Sequence, residues 1–231
     1  MERWVLLIEG ESSPQGQMDR DREMFALLRK EGPNIVRVYR ISGRGVTLGR
    51  THRTAVPEDW QVNPDCVAVR PTGGGAVLHD GDLCFSIFLP WSRTVSRSRH
   101  WPSFYESIHQ ILADFLQSLG LFSEILRTCP EKSGRMTEGG HRPGLCFHDP
   151  VRGDLMMEGR KILGGALAIG RNGVLYQGSL FVPGLDPVIL SSLFEKWYCA
   201  EGRVALEKAL VETSPALARR GHGCLEAVDT I

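Results

Sequence analysis

The sequence lacks an excess of charge of either sign, a long apolar run and a paired cysteine motif. Its 27 Lys and Arg residues balance 27 Asp and Glu residues, so the formal charge is 0 with neutral histidines. This balance favours neither a nucleic acid nor an anionic membrane surface as a partner. The apolar run from Trp4 to Ile8 is too short for a signal-peptide core or a membrane span. We therefore expect a cytoplasmic protein that binds neither.

None of the six cysteines belongs to a C-x-x-C pair, so each must be explained singly as core filler, metal ligand or nucleophile.

The sequence consists of 42% hydrophobic and 23% charged residues, which is typical of a globular domain. Short apolar or alternating runs predict strands at 4–8, 35–41, 66–70 and 83–89. The last has apolar residues on both faces and is predicted to be central.

Periodicity of 3.6 predicts helices at 17–30, 104–119 and 187–197. Ser103 and Glu106 resemble a capping box for the second helix. Asn172-Gly173 is the preferred pair for a type I′ turn between two strands. Together these patterns indicate an α/β architecture with a mixed sheet flanked by helices.

A first segment with chemical potential runs from Arg70 to Asp80 and contains three consecutive glycines, Gly73, Gly74 and Gly75. Glycines between two apolar strands allow backbone amides to approach a ligand closely, or they form a flexible hairpin loop. The segment matches neither the Walker pattern nor the dinucleotide-binding pattern. Both interpretations stay open on residue types alone.

A second segment runs from Asp154 to Ala166 and carries Lys161 after a possible tight turn at Gly159-Arg160. The ammonium and the nearby backbone amides of residues 164–166 could together hold a carbonyl oxygen or a carboxylate. The alternative is a solvated lysine at the start of a strand.

A third segment, Leu145 to Pro150, contains Cys146, which could be a nucleophile if a nearby cation lowers its pKa. It could equally be an inert buried cysteine. A metal site formed by Cys129, His141, Cys146 and His148 is a further alternative, although their spacing is irregular for structural zinc.

Taken together, these segments resemble the biotin and lipoate protein ligase superfamily, in the branch of lipoate-protein ligases and ligase-like octanoyltransferases. The family patterns are R-R-x-x-G-G-G-x-V-x-H-D, then G-x-K-[IV]-x-G-[SG]-A, then Q-H-G-[ST]-[IL]. They correspond in order to Val69–Asp80, Gly159–Ala166 and Tyr176–Leu180. The resemblance covers most of residues 3–197, and three ordered motifs are far more specific than one.

The resemblance implies a mixed, largely antiparallel sheet flanked by helices, as in biotin and lipoate ligases and class II aminoacyl-tRNA synthetases. It implies one catalytic domain over 1–231, with a core at about 3–197, a short helical extension at 198–231 and no ligase accessory domain. Lys161 would contact the acyl carbonyl or acyl-phosphate, and His79 would brace the glycine loop. The implied substrate-binding residues are Arg70, Gly73, Gly74, Gly75, His79, Gly164, Gly165, Ala166, Gln177, Gly178 and Ser179.

Two features favour transfer over ATP-dependent ligation. Cys146 to Pro150 fits the C-F-x-x-P of ligase-like octanoyltransferases, and the residues after Trp197 are too few for an independent core. The implied reaction moves an acyl group from octanoyl-acyl carrier protein, through Cys146, to a lysine of an apo lipoyl domain or glycine-cleavage H protein. No metal or cofactor is expected. A ligase using ATP and Mg²⁺, and an inactive lipoyl- or biotinyl-binding relative, remain alternatives.

The sequence departs from the family patterns at three places: Val69 replaces the first arginine, Tyr176-Gln177 replaces Q-H, and residues 17–21 replace N-x-A-x-D. These departures affect substrate choice more than fold. Acyl carrier proteins and lipoyl domains are typically acidic, so we also expect a basic rim beside the site. The residues of this basic rim are Arg93, Arg97, Arg99, Lys132, Arg135 and Arg142.

Overall fold

A computed structural model describes residues 3–52, 55–56, 58–92, 95–97, 100–128 and 150–213. Within these ranges the strands and helices follow one another along the chain, and a π-helical turn joins α3 to α4. In order they are β1 (Trp4–Ser12), α1 (Pro14–Ala26), β2 (Asn34–Ile41), β3 (Gly45–Leu48), β4 (Val67–Val69), β5 (Ala76–His79), β6 (Leu83–Pro90), α2 (Trp101–Ser118), β7 (Glu124–Ile125), β8 (Leu155–Met157), β9 (Arg160–Ile169), β10 (Gly173–Leu180), α3 (Pro187–Trp197) and α4 (Arg203–Glu212). None of the described helices combines the length and apolarity that crossing a membrane requires.

The larger sheet confirms the predicted mixed, largely antiparallel arrangement. Its strand order over the described residues is β1-β2-β6-β10-β9-β8-β7. The β1–β2 pair is parallel, and each of the other neighbouring pairs is antiparallel. Strand β6 lies between β2 and β10, and all of its residues are buried. The prediction of a central strand at 83–89 is therefore confirmed.

Side chains alternate along β6, so this strand contributes to the core on both faces of the sheet. Phe85 and its alternate neighbours pack in the main core with Phe104 of α2 and Phe194 of α3. Cys84 packs on the opposite face with Met18 of α1. The sheet thus separates an α2–α3 layer from a layer formed by α1.

A smaller sheet has the order β4-β3-β5 within the described residues, with β3 parallel to β4 and antiparallel to β5. Strands β4 and β5 are therefore not paired with each other. The glycine segment between them crosses the end of β3, where the Gly49 amide donates to the Gly75 carbonyl at 3.2 Å. The hairpin-loop interpretation of the three glycines is wrong for this reason.

The bounds of α1 and the start of α2 depart from the predictions. The α2 helix begins at Trp101 because the ring of His100 accepts a hydrogen bond from the Ser103 amide at 3.3 Å. The predicted Ser103–Glu106 capping box is therefore wrong. The α1 helix begins at Pro14, since the Ser13 side chain accepts from the Gly16 amide. The bounds predicted for α3 are confirmed.

Both hairpin turns beside β9 also differ from the predictions. The β9–β10 hairpin is closed by the Gly170 amide donating to the Gly173 carbonyl at 2.8 Å. Asn172 and Gly173 do not adopt the left-handed backbone that a type I′ turn requires, so that turn type is wrong. The turn before β9 is formed by Glu158 and Gly159, at φ +50° and +73°, one residue earlier than predicted.

Candidate functional site

A cavity on the α1 side of the large sheet brings residues of all three motifs together. From the predicted set it is lined by Arg70, His79, Gly164, Gly165, Ala166, Gln177, Gly178 and Ser179. The lining that sequence reasoning missed comes from Met18, Tyr39, Thr47, Val77 and Cys84. The volume of this open cavity is about 40 Å³, which is space for a few water molecules.

The glycine loop is supported by the guanidinium of Arg70 rather than forming the cavity wall itself. Arg70 is buried and donates to the carbonyls of Gly73 at 2.7 Å, Gly75 at 2.8 Å and Thr47 at 3.1 Å. Gly74 has φ +89°, a conformation that glycine adopts without strain. None of the three glycines lines the cavity, so their predicted contact with the acyl group stays a prediction.

A side chain at Gly49, the residue after β3, would collide with this loop. A Cβ atom on Gly49 would lie 2.0 Å from the Gly74 carbonyl oxygen, which is backbone and has little freedom to move. We expect Gly49→Ala to lower the free energy of unfolding by about 1–3 kcal/mol, measured by urea denaturation. Gly73→Ala is the matched control, because its Cβ has nothing within 4 Å. Equal stability of the two variants would contradict the prediction.

His79 lies in a buried polar cluster beside the loop. Its Nε2 is 2.8 Å from the Thr47 hydroxyl, and its Nδ1 is 2.8 Å from Asp82 Oδ2. The Ser179 hydroxyl donates to the same carboxylate oxygen. Burial raises the pKa of Asp82, but His79 and the donated hydrogen bonds outweigh burial and leave this pKa below its usual value. His79 therefore connects the Asp82 carboxylate to the strand that carries Thr47.

Cys84 belongs to the same cluster. Its Sγ lies 3.4 Å from Asp82 Oδ2 and 3.5 Å from His79 Nδ1, and such a set of three ligand types could hold a metal ion. Burial, and then the charge of Asp82, raise the pKa of the Cys84 thiol well above its usual value. Cys84 consequently remains a neutral thiol and a poor nucleophile, although it lines the cavity.

Gln177 connects the loop, the sheet and helix α1. Its Oε1 accepts from the Thr72 hydroxyl at 2.7 Å, and its Nε2 donates to Asp21 Oδ2 at 2.6 Å. Asp21 also pairs with Arg37 at 2.7 Å and accepts from Ser86 at 2.6 Å. Burial raises the pKa of Asp21 in spite of this cation. Sequence reasoning missed Asp21, whose signal is its match to the last residue of N-x-A-x-D.

Lys161 does not line the cavity; it is buried on β9, beside α2. Its Nζ lies 2.8 Å from Asp154 Oδ2, and its side chain is only 2% exposed. The alternative of a solvated lysine is therefore wrong. The ammonium is paired with the Asp154 carboxylate.

Two tyrosines, Tyr105 of α2 and Tyr176 of β10, make polar contacts on the same side of the sheet as Lys161. The Tyr105 hydroxyl donates to Asp154 Oδ1 at 2.9 Å and accepts from the Gly165 amide at 3.2 Å. Burial raises the pKa of Tyr105 well above its usual value, so the hydroxyl keeps the proton that it donates. The Tyr176 hydroxyl lies 2.7 Å from His109 Nε2. Burial, and then the charge of Lys161, lower the pKa of His109 to about 3, so that this ring is neutral.

Several predicted residues lie outside the described ranges. Cys146, and with it the alternative metal ligands at 129, 141 and 148, falls within residues 129–149. Of the basic rim, Arg97 alone is described, and it is exposed. Its guanidinium donates to the Gly170 carbonyl at 3.2 Å and lies 5.8 Å from the ring centroid of Trp91.

Comparison with known proteins agrees with this arrangement. Residues 13–196 match the family described as the lipoyl protein ligase A/B catalytic domain. The octanoyltransferase LipM of Kyrpidia tusciae is 29% identical over 201 residues, covering 82% of this chain and 69% of the relative. The octanoyltransferase LipM of Staphylococcus aureus is 26% identical over 224 residues, covering 94% and 78%.

Solved structures show the same fold. A putative lipoate protein ligase from T. acidophilum with bound lipoic acid has a TM-score of 0.58 and 26% identity, covering 92% of this chain and 86% of its own. A lipoate-protein ligase A bound with ATP also has a TM-score of 0.58, with 24% identity, covering 92% and 85%.

Proposed function

The chain belongs to the lipoyl protein ligase A/B catalytic domain family, and we propose that it transfers an octanoyl group during protein lipoylation. The observation that carries this proposal is the match over most of the chain to relatives named octanoyltransferase. The proposed donor is octanoyl-acyl carrier protein. The proposed acceptor is a lysine of an apo lipoyl domain or of the glycine-cleavage H protein.

Cys146 is the proposed nucleophile. Cys84 lines the cavity, but its raised pKa keeps it protonated. The support for Cys146 is the sequence, because Cys146 to Pro150 fits the C-F-x-x-P pattern of the ligase-like octanoyltransferases.

The reaction proceeds in two acyl-transfer steps, and neither step needs a cofactor. The Cys146 thiolate attacks the thioester carbonyl of the donor, a new carbon–sulfur bond forms, and the carrier thiolate leaves. The ε-amine of the acceptor lysine then attacks the acyl-cysteine, an amide forms, and the Cys146 thiolate is released as the amine loses a proton. A thioester is already activated, so no ATP is consumed.

Lys161 is the proposed electrostatic partner of the negative charge that develops on the carbonyl oxygen in both steps. A buried ammonium interacts strongly with such a charge because little water screens it. The ion pair with Asp154 holds the ammonium in one place before the reaction. The backbone of residues 164–166, which lines the cavity, follows Lys161 on the same strand.

The cavity is the proposed site of the acyl chain. The cavity is small, about 40 Å³, and it opens to solvent, so part of an octanoyl chain could extend out of it. Met18 lies in this wall, and the unbranched methionine side chain readily adopts other rotamers. Rotation of the Met18 side chain is therefore the proposed way in which the cavity adapts to the acyl chain.

Two parallel reactions test the proposal. An apo lipoyl domain is incubated with the protein and either octanoyl-acyl carrier protein without ATP, or octanoate with ATP and Mg²⁺. Intact-mass spectrometry then detects the octanoyl adduct. We expect labelling with the carrier-bound donor alone. Labelling with octanoate and ATP alone would instead establish a ligase, and labelling in neither reaction would leave a binding relative.

A further inference from the structure

A continuous line of polar contacts, from a buried ion pair to two partly buried hydrogen bonds, joins the Lys161 side chain to the backbone of β9 at Gly165. The ammonium of Lys161 contacts Asp154 Oδ2, while Oδ1 of the same carboxylate accepts from the Tyr105 hydroxyl at 2.9 Å. That hydroxyl accepts in turn from the Gly165 amide. Asp154 is fully buried, so each of these contacts replaces one that water would otherwise make.

The Gly165 amide is available to Tyr105 because of where β8 begins. Leu155, the first residue of β8, pairs with Leu163, and no residue of β8 lies opposite Gly165. The Tyr105 hydroxyl therefore occupies the place of a strand partner at the point where the ladder stops. One hydroxyl acts as donor and acceptor at once, which a phenylalanine cannot do.

We propose that Tyr105 is a positioning residue. It fixes the Asp154 carboxylate, and the carboxylate in turn holds the Lys161 ammonium at a fixed position relative to the Gly165 backbone. This inference rests on the proposed function, in which Lys161 stabilises the oxyanion. Tyr105 acts through Asp154 and touches no reacting atom. Its ring also packs against His109, with the ring centroids 4.1 Å apart, and a phenylalanine ring preserves that packing.

The test is Tyr105→Phe, with the rate of acyl-enzyme formation from octanoyl-acyl carrier protein as the readout. Losing a hydrogen bond to a buried carboxylate is expected to slow this step by about tenfold. The KM for octanoyl-acyl carrier protein is expected to stay within about twofold, since Tyr105 is not expected to contact this substrate. Tyr198→Phe is the matched control, because the Tyr198 hydroxyl is buried without a hydrogen-bond partner among the described residues. Its rate should equal that of the wild type.

A double-mutant cycle separates positioning from a general structural effect. If Tyr105 acts through Lys161, Tyr105→Phe should cause no further loss when added to Lys161→Ala. A second full tenfold loss in that background would overturn the proposal. An unchanged rate for the single variant would overturn it as well.

A chemical measurement tests the positioning step independently of transfer. Reductive methylation followed by mass spectrometry reports how readily each lysine amine is reached. We expect Lys161 to react several-fold faster in Tyr105→Phe than in the wild type, while the exposed Lys208 reacts equally in both. Equal labelling of Lys161 would overturn the inference even if the wild-type protein transferred no octanoyl group, and failure of the proposed function would appear only in the transfer assay.

Discussion

We expect octanoyl transfer to fall by at least about 10³-fold when Cys146 is replaced by serine, and the acyl-enzyme to disappear. The physical reason is the difference in acidity between the two groups. A thiol near a cation ionises at neutral pH, whereas a serine hydroxyl keeps its proton and needs a general base. The measurement is the intact mass of the protein after mixing with octanoyl-acyl carrier protein, together with the rate of labelling of an apo lipoyl domain.

Cys199→Ser is the control for this experiment. Cys199 is a free and exposed cysteine after α3, so it would report any non-specific acylation by the thioester. We expect this variant to retain both the wild-type rate and the adduct. Undiminished transfer by Cys146→Ser, or an adduct that maps to Cys84, would contradict the assignment of the nucleophile.

Arg37→Met has the largest expected effect on stability, a loss of about 3–5 kcal/mol in the free energy of unfolding. The Arg37 side chain is 1% exposed and pairs with Asp21 and with Glu9, each at 2.7 Å. It also donates to Gln17 and lies 4.1 Å from the ring centroid of Tyr39. Methionine fills much of the space but leaves the Asp21 carboxylate buried without its cation. Urea denaturation monitored by circular dichroism measures the loss.

Two further variants show whether the buried charge is the cause. Arg44→Met removes an arginine that is 44% exposed and lies 3.6 Å from Asp80, so we expect a loss below about 1 kcal/mol. Adding Asp21→Asn to Arg37→Met removes the uncompensated charge and should restore part of the stability. If the double variant were less stable than Arg37→Met alone, the charge explanation would be wrong.

Local patterns predicted those parts of the fold that depend on neighbouring residues. A run with apolar residues on both faces located β6, and Pro187 at the first turn located α3, because both signals lie within the element itself. Pairing depends on distant segments: β6 pairs with β10, and the intervening chain gives no sign of it. The start of α2 was missed because the cap is the ring of His100, a residue type seldom found at that position.

The candidate site was predictable where motifs lie on adjacent strands. Residues 164–166 of β9 pair with 177–179 of β10, so two motifs meet across one ladder. The contacts of Lys161 were not predictable, because Asp154 and Tyr105 come from separate elements that only the folded sheet brings together. Residues 176 and 177, where the family has Q-H, point to opposite faces. Of these two residues, Tyr176 faces α2 and Gln177 faces the cavity.

In a surface helix, the buried positions that tolerate substitution least are usually apolar. The buried face of α1 also contains polar residues, so hydrophobicity alone does not predict which of its positions tolerate substitution. Gln17 and Asp21 are buried and hydrogen-bonded, whereas Leu27, just after the helix, is 73% exposed. In a library of random substitutions over this segment, selection would remove variants that lose a hydrogen-bonding group at 17 or 21. The same selection would accept polar residues at 27. An enrichment map of this segment would therefore show selection at the hydrogen-bonded positions 17 and 21 as well as at the buried Met18, and little selection at the exposed Leu27.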